Sequence, residues 1–318
     1  MKLSLSALFL AACGLVHTTP TPRAAKPPRF FLIGDSTVAV NGGWGDGLLS
    51  YLKNPAEGDN RGVSGSTTVS WKSSGRWDTL LKDVGAAKSE FEPVVTIQFG
   101  HNDQKVMQLD EFHSNLVNIG NDIKKAGGTP IFITSLTRRT FSGGEVVQNL
   151  KDWAAETISA ATDVGAQHLE LNKASTDYVN AIGSQNADFY NWGPGDRTHL
   201  NPPGEIVFGR MVVDLLLENR GDFSAYFDSN EALSEKIKNG DEFGQYPPGA
   251  RPGAKIWGPI QGRDIDEEDD SKFEDSESAE NSVAVVNPEG GNEEDEVASD
   301  QFDLERYLNI GHLEIDES

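Results

Sequence analysis

Two apolar runs in this chain stop in the same abrupt way, and together they limit the folds open to it. Phe30-Phe31-Leu32-Ile33 passes straight into Gly34-Asp35-Ser36-Thr37, and Val94-Val95-Thr96-Ile97-Gln98-Phe99 into Gly100-His101-Asn102-Asp103. A short run of β-branched and aromatic residues is the pattern of a strand buried on both faces. Glycine then permits a tight turn, which delivers the polar residues to the carboxyl end of the strand, where open α/β sheets place their ligands. Asp35, Ser36 and Thr37 also have side-chain oxygens suited to capping a following helix. A third run, Pro130-Ile131-Phe132-Ile133-Thr134, leads into Ser135-Leu136-Thr137-Arg138-Arg139.

Helical spacing fills the intervals between these runs. It predicts helices over 44–52, 77–87, 146–161, 174–182 and 205–217, and a longer one over 109–126 through Phe112, Leu116, Ile119 and Ile123, stopped by Gly127-Gly128. Short strands are expected within 57–63 and over 167–171. Strands separated by helices give an α/β fold, a three-layer α/β/α sandwich with a mainly parallel sheet and right-handed crossovers.

Charge divides the chain. Of the formal net charge of −23, the segment 261–318 carries −18, from 21 acidic and 3 basic side chains. Its apolar content is too small to offset chain ordering and self-repulsion, so it reads as a disordered acidic tail. No basic block exists to neutralise phosphates, which argues against a nucleic-acid partner. Residues 1–18 pair one lysine with an apolar run too short to span a bilayer, the pattern of a secretory signal peptide, with cleavage after residue 18 or as late as 25. Leu10-Ala11-Ala12-Cys13 offers a lipoprotein anchor as the alternative. Cys13 is the one cysteine, so removal of the leader leaves no disulfide and no thiolate chemistry. The expected organisation is a leader, a folded domain over 29–225, a linker over 226–260 and the tail over 261–318. An extracellular monomer with no transmembrane segment is expected.

Acyl transfer needs a nucleophile, a base, a group that orients the base and donors for the developing oxyanion. Ser36 supplies a hydroxyl at a strand end. His199 supplies an imidazole, and Asp196 can orient it from the same loop. The Ser36 and Gly65 amides and the Asn102 side-chain nitrogen come from three strand-end loops and can serve as the donors. No single residue is specific; the set is complete.

On these residues the chain resembles the GDSL/SGNH hydrolase family, and within it the rhamnogalacturonan acetylesterase-like branch. Gly34-Asp35-Ser36-Thr37 is similar to the nucleophile block, Val63-Ser64-Gly65-Ser66 to the second, Gly100-His101-Asn102-Asp103 to the third and Asp196-Arg197-Thr198-His199-Leu200 to the last. Gly42-Gly43-Trp44-Gly45 and the Gly-His-Asn-Asp form carry the likeness to that branch. The resemblance implies a flavodoxin-like SGNH fold and a shallow site at the sheet's carboxyl edge. Ser36 would attack an ester carbonyl, His199 would take and return the proton, Asp196 would hold the imidazole, and an acyl-enzyme would form, with no cofactor and no metal. It also implies a secreted serine esterase that removes acetyl groups from plant cell-wall polysaccharide, pectic rhamnogalacturonan in particular. Action on acetylated xylan or other short-chain acyl esters is the alternative, and a non-catalytic carbohydrate-binding protein is the reading from another class. The Gly-x-Ser-x-Gly elbow of α/β-hydrolases is not present.

Several further residues have both a functional and a structural reading. Arg138 and Arg139 are candidates to meet a uronate carboxylate. Trp44 and Trp192 are candidates to stack on sugar rings, and His101 to line the pocket. Asp35 is read as a turn or cap residue. Asp103, Asp196 and His199 can be drawn as a divalent-metal cluster, but that leaves the serine and both donor loops without a purpose.

Overall fold

The computed structural model describes residues 26–243. The expected leader, the Cys13 anchor and the acidic tail lie outside the described residues. Five strands form one sheet: β1 (Pro28–Gly34), β2 (Glu57–Asn60), β3 (Glu92–Gln98), β4 (Thr129–Ile133) and, after an intervening hairpin, β7 (Gln167–Leu169). Their order is β2-β1-β3-β4-β7 and every neighbouring pair is parallel. Parallel neighbours need crossovers, which the helical segments supply.

Alternation along β1 builds the layers. Phe30 and Leu32 enter one apolar cluster, Phe31 and Ile33 the other, and all four are fully buried. The second cluster is closed by α2 (Thr68–Ser73), α3 (Arg76–Ala87), α4 (Leu109–Ala126) and α5 (Lys151–Val164). The first is closed by α1 (Gly45–Leu49), α6 (Leu171–Ala187), α7 (Pro202–Asn219) and α8 (Glu231–Asn239). A strand covered on both faces has no polar face to show, which is why its sequence reads as an unbroken apolar run. Each buried aromatic or aliphatic side chain contributes about 1.5–3 kcal/mol on this account.

The expected three-layer sandwich is therefore present, and the differences are local. Helix α4 has the expected bounds, ended by Gly127 at φ 91°. Helix α5 starts at Lys151 because Gly143 and Gly144, both at positive φ, turn a small hairpin of β5 (Phe141–Ser142) and β6 (Glu145–Val146). Helix α2, unexpected from apolar spacing, is opened by a capping box between Thr67 and Ser70. Helix α7 starts earlier than expected, with prolines in its first turn and Asn201 capping the Gly204 amide at 3.0 Å.

The packed body also runs past residue 225, into the segment expected as linker. Phe223 and Phe227 meet Phe30 edge-on at ring separations of 5.7 and 5.6 Å. The Asp228 amide donates to the Tyr51 carbonyl at 2.7 Å, Leu233 of α8 is buried, and the Tyr190 hydroxyl donates to the Phe243 carbonyl at 2.8 Å. The expected boundary missed this because α8 is mostly charged, with few apolar residues to mark its buried side.

Candidate active site

The turn that carries Ser36 is built at the end of β1. A side chain at Gly34 would sit 2.4 Å from the Gln98 carbonyl, so only glycine lets β1 and β3 approach there. Asp35 is fully buried, and its Oδ1 accepts from the Thr37 amide at 2.9 Å and the Thr37 hydroxyl at 2.7 Å. This carboxylate caps the turn itself rather than α1, whose first turn has no side-chain cap. Behind the turn, Gln98 donates to the Thr37 hydroxyl and accepts from Trp44 Nε1 at 2.7 Å. Ser36 stands at the end of this network with its side chain turned to the loop that carries His199.

The Ser36 hydroxyl lies 2.8 Å from His199 Nε2, and His199 Nδ1 lies 2.9 Å from Asp196 Oδ2. The other Asp196 oxygen accepts from the backbone amides of Thr198 and His199 at 3.0 and 2.9 Å, closing a tight local turn. Burial alone would push the Asp196 carboxyl up; the imidazole and these amides hold it below the usual carboxylate range. The carboxylate therefore stays ionised and holds the imidazole with Nε2 facing the serine.

Buried donors fix the loop from beneath. Arg139 is fully buried; its Nε donates to Asn191 Oδ1 and its Nη2 to the His199 carbonyl, both at 2.6 Å. The Trp192 amide reaches the same carbonyl at 3.0 Å. Burial pushes the Arg139 guanidinium down to about 10, still protonated at neutral pH. On the other flank the Leu200 amide donates to the Gly42 carbonyl at 2.8 Å, and the Gly42 amide to Glu205 Oε1 at 2.6 Å.

The loops that carry Gly65 and Asn102 leave the neighbouring strands. Gly34 of β1 is in register with Gln98 of β3, and the Val63 amide donates to the Gly34 carbonyl at 3.0 Å, so three chain segments emerge side by side. Gly65 is exposed at φ 73° with open space where a side chain would be. One N–H of the Asn102 amide donates to the Ser66 carbonyl at 3.1 Å, tying the two loops together, and its second N–H is a further donor.

Three of the secondary candidates, Trp44, Arg139 and His101, change meaning here. Trp44 is fully buried and bonded to Gln98, so no sugar ring can stack on it. Arg139 is a clamp on the His199 loop and has no face toward a substrate. His101 is 2% exposed and its Nδ1 lies 3.7 Å from Asp35 Oδ2, which makes it an inner neighbour of the Ser36 turn. Burial pushes its imidazole down, against the pull of Asp35. Arg138 is 9% exposed and donates to the Thr198 hydroxyl, beside the triad. Trp192 is half-buried in the same loop. Asp103 is bonded to Thr68 and Gly100, away from the Asp196–His199 pair, and no metal-holding cluster of three acidic, histidine or cysteine side chains occurs among the described residues. Gln98 and Asn191 went unnoticed in the sequence, since a lone amide carries no signal until its partners are known. A cleft of about 330 Å³ lies at the opposite, amino-terminal edge of the sheet, but its cations are engaged: Lys124 by the Val164 carbonyl and Arg220 by Glu92.

A parallel α/β/α sheet with a serine, a histidine and an aspartate in line at its carboxyl edge defines a class, the serine-type acyl hydrolases built without a nucleophile elbow. Residues 32–205, more than half of the chain, match the GDSL-like lipase/acylhydrolase family. The chain belongs to this family and is a carboxylic ester hydrolase. It is 24% identical over 212 residues to the rhamnogalacturonan acetylesterase RhgT of Bacillus subtilis (strain 168), covering 59% of this chain and 89% of that protein. It is 23% identical over 201 residues to the probable rhamnogalacturonan acetylesterase YesY of the same organism, covering 58% of this chain and 90% of that one. Among solved structures, the Bacillus subtilis protein YXIM_BACsu superimposes with a TM-score of 0.53 at 20% identity, over 64% of this chain and 59% of that one, a likeness of fold.

Proposed function

We propose that this protein is an exported acetylesterase that removes acetyl groups from plant cell-wall polysaccharide, with pectic rhamnogalacturonan as the polymer. The observation that carries the chemistry is the unbroken line from Ser36 through His199 to Asp196, with contacts of 2.8 and 2.9 Å. Ser36 attacks the acetyl carbonyl while His199 Nε2 takes its proton. The amides of Ser36 and Gly65 and the Asn102 side chain receive the oxyanion. His199 then protonates the departing sugar hydroxyl, leaving acetyl on Ser36. Water, deprotonated by His199, attacks that ester, and acetate leaves as the proton returns to Ser36.

The names of the two curated relatives support the acetyl group and the polymer, and the leader over 1–18 supports export. Arg138 and Trp192 border the triad and are the residues here for a charged or ring-shaped neighbour of the ester. Acetate release from acetylated pectin, acetylated xylan and longer acyl esters, measured for wild type and Ser36→Ala, tests the reading. Wild type should release acetate fastest from pectin, and Ser36→Ala should lose at least about 10⁴-fold on every substrate. Retained hydrolysis by Ser36→Ala sinks the mechanism, and preference for another ester sinks the polymer.

A further inference from the structure

The two donor loops are joined by a buried carboxylate that takes no part in these proton transfers. Asp103 is fully buried. Its Oδ1 accepts from the Thr68 amide at 2.8 Å and the Thr68 hydroxyl at 2.7 Å, and its Oδ2 from the Gly100 amide at 3.2 Å. Thr68 opens α2, three residues after Gly65, and Gly100 begins the turn that carries Asn102. The bond from Asn102 to the Ser66 carbonyl runs alongside, and Asn115 of α4 braces the Thr68 hydroxyl at 3.2 Å. We infer that Asp103 is the positioning residue of the oxyanion site: its carboxylate staples the Gly65 loop to the Asn102 turn and so sets the spacing of the two donors. This rests on the acyl-transfer reading above.

Donors converge on both oxygens of this group, and an ionised carboxylate is the side chain that accepts on both. An amide in its place must turn an N–H toward one of them. Oxyanion donors act through fixed placement, so a small shift in their spacing costs rate without changing how substrate docks. The arrangement is not one that favours stability. Burial pushes the Asp103 carboxyl up to about 6, against the pull of Thr68, and Asp35 at the end of β1 adds like-charge repulsion. Asp35 itself faces His101, while Thr68 and Asn115, contributed by α2 and α4, are uncharged. A carboxyl whose folded value is raised stabilises the fold at low pH and loses that contribution as pH rises through about 6. The ionised form that bridges the loops is thus the form the fold tolerates less.

Asp103→Asn in the full-length protein tests the inference. At pH 7, kcat on an acetyl ester should fall about 10–100-fold with KM within about threefold of wild type. The Tm of the variant relative to wild type should rise between about pH 4 and pH 7, because wild type alone carries the ionising group. A kcat within about threefold of wild type overturns the inference, as does a kcat loss that tracks loss of folded protein. Thr68→Val, which keeps the acid and removes one donor, reads the same bridge if Asp103→Asn does not fold, with kcat down about 3–10-fold and KM unchanged. A wild-type protein that cleaves no ester counts against the acyl-transfer reading itself, so the two failures are distinguishable.

Discussion

Asp196 and Asp103 sit at the same sheet edge, each accepts two or more hydrogen bonds, and burial presses both toward the neutral form, yet they end on opposite sides of the ordinary carboxylate value. Asp196 has an imidazole at 2.9 Å and is held low; Asp103 has only neutral donors and a second carboxylate nearby, and is pushed up to about 6. The imidazole and the backbone amides offset burial at Asp196, whereas the neutral donors at Asp103 do not outweigh burial and the nearby Asp35. The difference also separates two kinds of contact. Asp196 holds an imidazole, whereas Asp103 joins the Thr68 and Gly100 backbones.

The comparison is broken most severely by Asp196→Asn. The amide can present an N–H to His199 and favour the wrong tautomer, so kcat should fall about 10³–10⁴-fold with KM little changed. Steady-state rates at pH 7 measure this, and a loss below about 10-fold removes Asp196 from the triad. The same pair of proteins sharpens the contrast in stability. The folded value of Asp196 is lowered, so its contribution is present at neutral pH and is lost as pH falls below about 4. The Tm difference between wild type and Asp196→Asn should therefore shrink in acid, the reverse of the trend for Asp103→Asn, and parallel trends would erase the distinction.

Asn102→Ala comes next. It deletes a donor and the tie to Ser66, and kcat should drop about 10²–10³-fold, a larger loss than for Asp103→Asn, which only displaces that donor. A smaller loss than Asp103→Asn would reverse the roles assigned to the two residues. Phe227→Ala has the least effect on chemistry. It truncates a side chain packed on Phe30 beneath the sheet and should cost about 3–5 kcal/mol of stability by chemical denaturation. Well below the new Tm, kcat should match wild type, which makes this variant the control for stability losses unrelated to either carboxylate.

Much of this is legible in the sequence. The apolar runs, the glycines that end them and the helical spacing of 109–126 marked the layers, because burial on both faces of a strand leaves a period and a boundary in the sequence. Ser36, His199 and Asp196 were legible as residue types at loop positions that a sheet could gather. Trp44, Arg139 and His101 were not, since an indole, a guanidinium or an imidazole reads the same whether it meets a ligand or fills the interior. The docking of α8 on the body was not legible for a related reason. One buried leucine in a charged helix is too weak a pattern to distinguish a docked segment from a linker.

What the amino-acid sequence determined by itself was the class of fold, the family and the chemical inventory, since these depend on local periodicity and on motifs that survive being read one residue at a time. What only the tertiary structure decided was which polar side chains are spent on one another. Gln98 on Thr37, Arg139 on the His199 carbonyl and Asp103 on Thr68 join positions that are 61, 60 and 35 residues apart. Hydrogen bonding and charge depend on distances of a few ångströms, and chain separation carries no information about those distances until the sheet has brought its strand ends together.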